Sequence, residues 1–450
     1  MSTSPLRRRR AETYQLHTPR PHPLYAEGVP KLTVAHPPAP TPPQNSPKTA
    51  VTSPQIHYLY PMQLLKQLSD ALVKNTNTSF RRFLYDDIPW HNRLTAIVGP
   101  RGVGKTTMLL QHIKLQRDIS KSLYVSAEAV YFTHHTLFET AQKLVQANGT
   151  FLAIDEIHKY DGWALELKMI YDNLPELQVV FTGSSILDIY RGTADLSRRA
   201  LIFHLPGMSF REYVNFTQGT NLPPLSLDDI TNNAADITST IPHPLPLFAD
   251  YLRHGYYPFS ADPGFNARLD QIVTMTLEND IPLYANLTIA TARKLKKLMQ
   301  IIAESVPFKP NFSSLALATS IDRNKLPDYL SLIERSGLIS QLPEPTTGIR
   351  SLAKIEKIYL QNTNLAYALT AQPDIGNLRE TFFLSQMSIR HNVTASKTSD
   401  FEINGRTFEV GGRKKTHRQT NNTPNSFLVK DDIEIGFANT LPLYTFGLSY

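Results

Sequence analysis

Gly99-Pro100-Arg101-Gly102-Val103-Gly104-Lys105-Thr106 satisfies the phosphate-binding pattern G-x-x-x-x-G-K-[ST] without a mismatch. The chemistry implied is that of an oligophosphate. Glycines let backbone N–H groups turn in around phosphate oxygens, and a helix opening behind the loop adds partial positive charge. Lys105 is placed to reach the β- and γ-phosphates, the Thr106 hydroxyl to hold Mg²⁺, and Thr107 continues into the helix. Hydrolysis also needs a carboxylate on the metal side and a group that orients water. Phe151-Leu-Ala-Ile-Asp155-Glu156 supplies both: Asp155 as the expected partner of Thr106 at the metal, Glu156 as the expected polariser of the attacking water.

Two further stretches bear on the same chemistry. Val179-Val-Phe-Thr-Gly-Ser184-Ser185 ends in small polar residues, which suits either an ordinary turn or a hydrogen bond from Ser184 or Ser185 to the γ-phosphate or the water. Asp195-Leu-Ser-Arg198-Arg199 offers two arginines, of which one aimed at a transferring phosphoryl group would neutralise developing charge. In isolation such arginines read as surface residues.

The elements that must position these residues alternate. Strands are expected at Leu94–Val98, Ser122–Ser126, Phe151–Ile154, Gln178–Thr182 and Ala200–His204, with helical segments between most of them. That alternation predicts an α/β fold, a parallel sheet with helices on both faces. Asp155 then emerges at a strand's C-terminal end, where open parallel sheets bind ligands. Ahead of the first strand, residues 58–91 read as helical, with Leu64, Leu65, Leu68 and Leu72 as the apolar stripe.

Composition sets limits. The chain has 450 residues, enough for two to four domains at about 150 each. It has no cysteine, which excludes disulfides, thiolate zinc sites and thiol nucleophiles. No apolar run approaches the roughly 18 residues of a membrane span, and Arg7-Arg-Arg-Arg10 is followed by no apolar segment, so the expectation is cytoplasmic, with no membrane partner. The net charge of +7 lies mostly in residues 1–56, which hold seven basic and two acidic residues, so bulk charge says little about the partners of the rest. Twelve of the 33 prolines fall in the first 54 residues, and this segment reads as a disordered tail.

Beyond Leu205-Pro-Gly207 the pattern is helical, with a polar, irregular link at 215–247. Helices expected at 292–306, Ser313–Thr319 and Arg323–Ser336, then strands Gly337–Leu342 and Lys354–Leu360, follow the order of a winged helix. Arg323, Asn324, Lys325 and Tyr329 are types that contact nucleic acid, while Asp322 and Asp328 lie among them. The chain is expected to close with a helix, Leu378–Ile389, and strands Asp400–Asn404, Arg406–Val410 and Leu443–Leu448.

Gly99–Thr106, Ile154-Asp-Glu-Ile-His-Lys159, Phe181–Ser185, Asp195–Arg199 and Pro206-Gly-Met-Ser-Phe-Arg-Glu-Tyr213, in that order, resemble the prokaryotic AAA+-type ATPases that carry a C-terminal domain of restriction-endonuclease-like fold. The resemblance covers about residues 57–450. It implies an ASCE-class P-loop core at 57–205, a helical lid at 206–285, a winged helix at 286–360 and a nuclease-like module at 361–450, behind the tail at 1–56. It further implies ATP and Mg²⁺ as cofactors, Ser184 as a sensor, Arg198 or Arg199 as a finger acting on a neighbouring subunit, and hence a homo-oligomer.

Nucleases of the terminal fold use an Asp and a Glu-x-Lys to hold Mg²⁺ and activate water. Asp400 and Glu409 match the carboxylates and Glu380 is a further candidate, but the lysine position is Gly411. Lys414 and Lys415 come at the wrong spacing, and His391 and His417 lack metal-ligand spacing. The expected activity is therefore ATP hydrolysis coupled to conformational change, with DNA as an open partner. The alternatives are a nucleotide-gated scaffold that barely turns over and, less favoured, an ATP-regulated DNA endonuclease.

Overall fold

A computed structural model describes residues 62–183, 196, 198–232, 241–305, 307–344, 355–412 and 425–450. All of these belong to one unit, Tyr58–Tyr450. Ser184, Ser185, Asp195, Lys414, Lys415, His417 and the segment 1–56 lie outside the described residues.

Strands β1 (Leu94–Val98), β2 (Ser122–Ser126), β3 (Phe151–Asp155), β4 (Gln178–Gly183) and β5 (Leu201–His204) form one sheet in the order β2-β3-β4-β1-β5. Every pairing in it is parallel. β4 inserts between the strand that feeds the phosphate loop and the strand that ends in Asp155, the ASCE arrangement of a P-loop NTPase. Alternate residues of β1 enter different cores: Ile97 packs with Met108, Leu109 and Val180 on one face, and Leu94, Ala96 and Val98 with Leu123, Leu152 and Phe181 on the other. Burial on both faces is why these strands read as near-continuous apolar runs.

The helix before β1 differs from the expected one. It spans Met62–Asn75, a second short helix covers Leu84–Asp87, and no helix joins them. Its buried stripe is Leu65, Ser69 and Val73, while Leu68 and Leu72 are exposed. The reason lies in β2, an edge strand. Ser69 Oγ accepts the Tyr124 N–H at 2.9 Å, so the helix covers the sheet edge and satisfies a ladder group that has no neighbouring strand.

Past β5, Ser209 and Glu212 form a capping box that starts the helix Phe210–Gln218. The link expected to be irregular contains helices Leu227–Asn232 and Pro244–Asp250. Helix Phe265–Met275 continues through a π-turn, Thr276–Asp280, into Ile281–Ala285. Helices Ile289–Ser305, Phe312–Thr319 and Leu326–Arg335 precede an antiparallel ribbon of β6 (Ile339–Pro343) and β7 (Ile355–Leu360).

The last module is a mixed sheet of β8 (Thr394–Ala395), β9 (Phe401–Ile403), β10 (Arg406–Gly411), β11 (Ser426–Lys430) and β12 (Thr440–Pro442), flanked by helix Ile375–Met387. Phe383 on that helix lies within 4.9–5.3 Å of the Phe401, Phe408 and Phe446 rings. Leu443–Leu448, expected as a strand, is a 3₁₀ turn buried at all six positions, so its residues carry no two-face pattern. Among the described residues no helix is long and apolar enough to cross a membrane.

Candidate functional site

The phosphate loop runs from the end of β1 to the helix Lys105–Gln116. Gly102 and Gly104 have φ of +81° and +98°, values that other residues adopt only with strain. A side chain at Gly102 would also place its Cβ 2.6 Å from Phe259, so the segment beneath Phe259 packs directly on the loop. Arg101 makes a bidentate pair with Asp280 of the π-turn, at 3.0 Å for each bond. Lys105 is 4% exposed, and its Nζ donates to the carbonyls of Gly99 and Pro100 at 2.9 Å. Burial pulls its pKa down to about 8, against the opposing pull of Glu156 and Asp155.

Asp155 ends β3 and is 5% exposed. Three hydroxyls converge on its carboxylate: Thr106 Oγ1 donates to Oδ2 at 2.6 Å, Tyr124 Oη to the same oxygen at 2.9 Å, and Thr182 Oγ1 to Oδ1. Sheet register explains the convergence. Ser126 pairs with Asp155, so Tyr124 lies two residues back on the same face, and Thr182 follows Phe181, the partner of Ile154. Glu156 takes a left-handed conformation, φ +52°, and its N–H donates to Thr182 Oγ1 at 3.1 Å. The Glu156 carboxylate sits 3.4 Å from His158 Nε2. Thr182 thus fixes both the Asp155 carboxylate and the left-handed turn at Glu156.

Tyr124 and Thr182 were not singled out in the sequence. Their one signal was a polar atom inside a buried apolar strand. Thr182→Val keeps the branched shape but leaves Asp155 and the Glu156 amide each short of a partner. A loss of about 1–3 kcal/mol is expected in urea unfolding; an unchanged midpoint would contradict this role.

Arg198 and Arg199 precede β5, at the end of the sheet opposite the loop. Roughly 20 Å of strand length separates them from Gly99. Arg198 is exposed, and Arg199 makes a bidentate pair with Asp172 at 3.0 Å for each bond. Neither reaches the phosphate loop of its own chain.

Beside Gly104 and Thr107 opens a cavity of about 220 Å³ walled by Phe80, Phe216 and Pro258. Gln111 shapes its floor by donating to the Asn77 and Phe80 carbonyls at 2.8 Å. Arg82 lies between this cavity and the loop, 5% exposed, bonded to Glu212 and to the carbonyls of Val103, Pro206 and Gly207.

Residues 91–214 match a family model described as AAA domain, and residues 245–375 match a domain of unknown function (DUF8612). An uncharacterized protein of Methanocaldococcus jannaschii is 27% identical over 284 residues, which cover 59% of this chain and 60% of that protein. The chain thus spans less than two thirds of this relative's length. Among solved structures, AMPPCP-bound DnaA from Aquifex aeolicus is 16% identical, over 62% of this chain and 92% of its own, with a TM-score of 0.24. The S. cerevisiae Hsp104–ADP complex is 14% identical, over 61% and 38%, with a TM-score of 0.26. C. elegans PCH-2 is 19% identical, over 35% and 44%, with a TM-score of 0.20.

Proposed function

We propose that the chain is an ATP hydrolase of AAA+ type that uses Mg²⁺. The observation that carries this reading is the 2.6 Å hydrogen bond between Thr106 and Asp155, at the mouth of a glycine-lined loop and one residue before Glu156. Bound there by Thr106 and, on its outer side, by Asp155, Mg²⁺ would neutralise charge on the β- and γ-phosphates. Gly102 and Gly104 give the backbone the curvature to wrap phosphate oxygens. Lys105 leaves the loop carbonyls for the phosphates, and Glu156 polarises water. The cavity between Phe80, Phe216 and Pro258 suits a heteroaromatic base, adjoining the loop on the Thr107 side. The deciding measurement is phosphate release by wild type against a Lys105→Ala control, with and without duplex DNA. Release no higher than the control, together with tight ATP binding, would replace the hydrolase with a nucleotide-gated scaffold.

In this reading residues 206–285 form the lid, 286–360 a winged helix and 361–450 a nuclease-fold module. DNA as a partner is supported by one juxtaposition. Lys294 Nζ bonds the Ser320 carbonyl, which joins helix Ile289–Ser305, with exposed Arg293 and Lys297, to the turn that leads into exposed Arg323 and Lys325. Assembly is supported by the helix Trp163–Asn173, which exposes Leu165 and Met169 on one face and holds Arg199 through Asp172. A specific rate that rises with protein concentration is expected if Arg198 or Arg199 completes a neighbour's site.

The pKa of Lys105 gives a pH dependence. Bound phosphates favour the ammonium, so above about pH 8 binding must recruit a proton. ATP affinity is expected to weaken by up to about tenfold per pH unit there, as seen in titrations between about pH 7 and pH 9.5. Stability runs the other way. The unfolded chain holds this proton to a higher pH than the nucleotide-free fold, so the burial penalty is largest below about pH 8 and is relieved as pH rises towards the ordinary lysine range. Affinity that stays flat across this range would contradict the assignment.

A further inference from the structure

The C-terminal sheet carries carboxylates that the phosphate site does not use. Asp400 directly precedes β9, Glu409 lies in β10 at 4% exposure, and Glu380 projects from helix Ile375–Met387. The sequence compares them with a metal-holding set, and Gly411 stands where the lysine of that set belongs. A cation nevertheless stands beside two of them, Glu380 and Asp400, and it comes from another element. Lys357 of β7 places Nζ 3.2 Å from Glu380 Oε2 and 3.8 Å from Asp400 Oδ1. Tyr359, two residues on and on the same face of the ribbon, donates its hydroxyl to Glu380 Oε2 at 2.6 Å. The other Asp400 oxygen accepts the Val410 N–H at 2.9 Å.

The residues do not fit a divalent metal in this arrangement. An ammonium already faces both carboxylates, with side-chain exposures of 24% for Lys357, 16% for Glu380 and 15% for Asp400. A divalent ion bridging Glu380 and Asp400 would have to displace Lys357 Nζ from its contacts with both carboxylates. Among the described residues no group of three or more His, Asp or Glu is disposed to hold a metal.

We propose that Lys357 is the resident cation of the Glu380–Asp400 pair, and that its ammonium clamps the β6–β7 ribbon to the C-terminal module. The clamp has a mechanical context. The turn that opens the ribbon contains Gly337, with φ +79°, where a Cβ would stand 2.7 Å from Pro100 Cγ of the phosphate loop. One ribbon therefore touches the phosphate loop at its start and the carboxylate pair near its end. The proposal is independent of the hydrolase reading, since it needs neither ATP binding nor turnover.

Two measurements on the full chain without nucleotide test it. Amide hydrogen exchange should report the clamp: Lys357→Met is expected to speed exchange in β6 and β7 by about tenfold or more while the β1–β5 sheet is unchanged. Glu380→Gln removes the same pair from the other side and is expected to do likewise, which covers a Lys357 variant that fails to fold. Ribbon exchange unchanged in both variants overturns the clamp. Mn²⁺ binding followed by electron paramagnetic resonance reports the cation. Wild type and Asp400→Asn are expected to bind equal numbers of ions. A site present in wild type and lost in Asp400→Asn would overturn the proposal and restore a metal centre.

Discussion

Glu156→Gln is expected to retain ATP binding and to lower steady-state phosphate release by about 10²–10⁴-fold, the span of a lost general base. The substitution is nearly isosteric, and the features that set the Glu156 backbone are its N–H bond to Thr182 and its left-handed φ, neither of which depends on the carboxylate. Lys105, Thr106 and the glycines, which would hold the phosphates, are untouched. What goes is the negative oxygen that, in the proposed hydrolase, would draw a proton from water. Two outcomes would sink the assignment. Release at the wild-type rate would move the base elsewhere, and loss of ATP binding would show that Glu156 shapes the loop.

This site was legible because its signals are local. A glycine pattern, an apolar strand and an acidic pair each declare themselves within eight residues, and parallel pairing brings the strands' C-terminal ends together. What was not legible depends on tertiary partners. Thr182 reads equally as a strand former, since branched residues favour strands whatever they bond. Leu68 and Leu72 looked like the buried stripe of the first helix, yet Ser69 points inward because the unpaired edge of β2 needs an acceptor there. Lys357 could not be connected with Glu380 and Asp400 from spacing, because the ribbon reaches them only through the packing of two separate sheets. The place of Arg199 likewise required the strand direction. Its distance from the loop in its own chain follows from preceding β5, whose N-terminal end lies away from Gly99–Thr106.

Arg82→Ala is expected to cost about 3–5 kcal/mol of stability, the range for removing one partner of a buried ion pair. Arg82 and Glu212 have side-chain exposures of 5% and 2%. The guanidinium donates Nε to Glu212 Oε1 at 2.9 Å and Nη2 to Oε2 at 3.0 Å, and it also serves the carbonyls of Pro206 and Gly207 at 2.8 Å and that of Val103. Glu212 in turn accepts the N–H groups of Phe83 at 2.6 Å and Ser209 at 3.2 Å. Alanine would leave a buried carboxylate without its counter-charge and would remove the Arg82 donor from the Val103, Pro206 and Gly207 carbonyls, of which Gly207 keeps the Tyr450 hydroxyl at 3.4 Å. Replacing both partners separates the two roles of this node. Arg82→Met with Glu212→Met removes the stranded charge and is expected to recover much of the lost stability in urea unfolding, because apolar pairs of similar volume replace buried ion pairs at little cost. It does not restore the bond to Val103, the residue between the two positive-φ glycines of the loop. ATP affinity is therefore expected to stay weakened in the double variant while stability returns. If affinity returned with stability, Arg82 would be a packing residue only. If neither returned, the backbone groups the pair serves, the three carbonyls on Arg82 and the Phe83 and Ser209 N–H groups on Glu212, would account for the loss rather than the stranded charge.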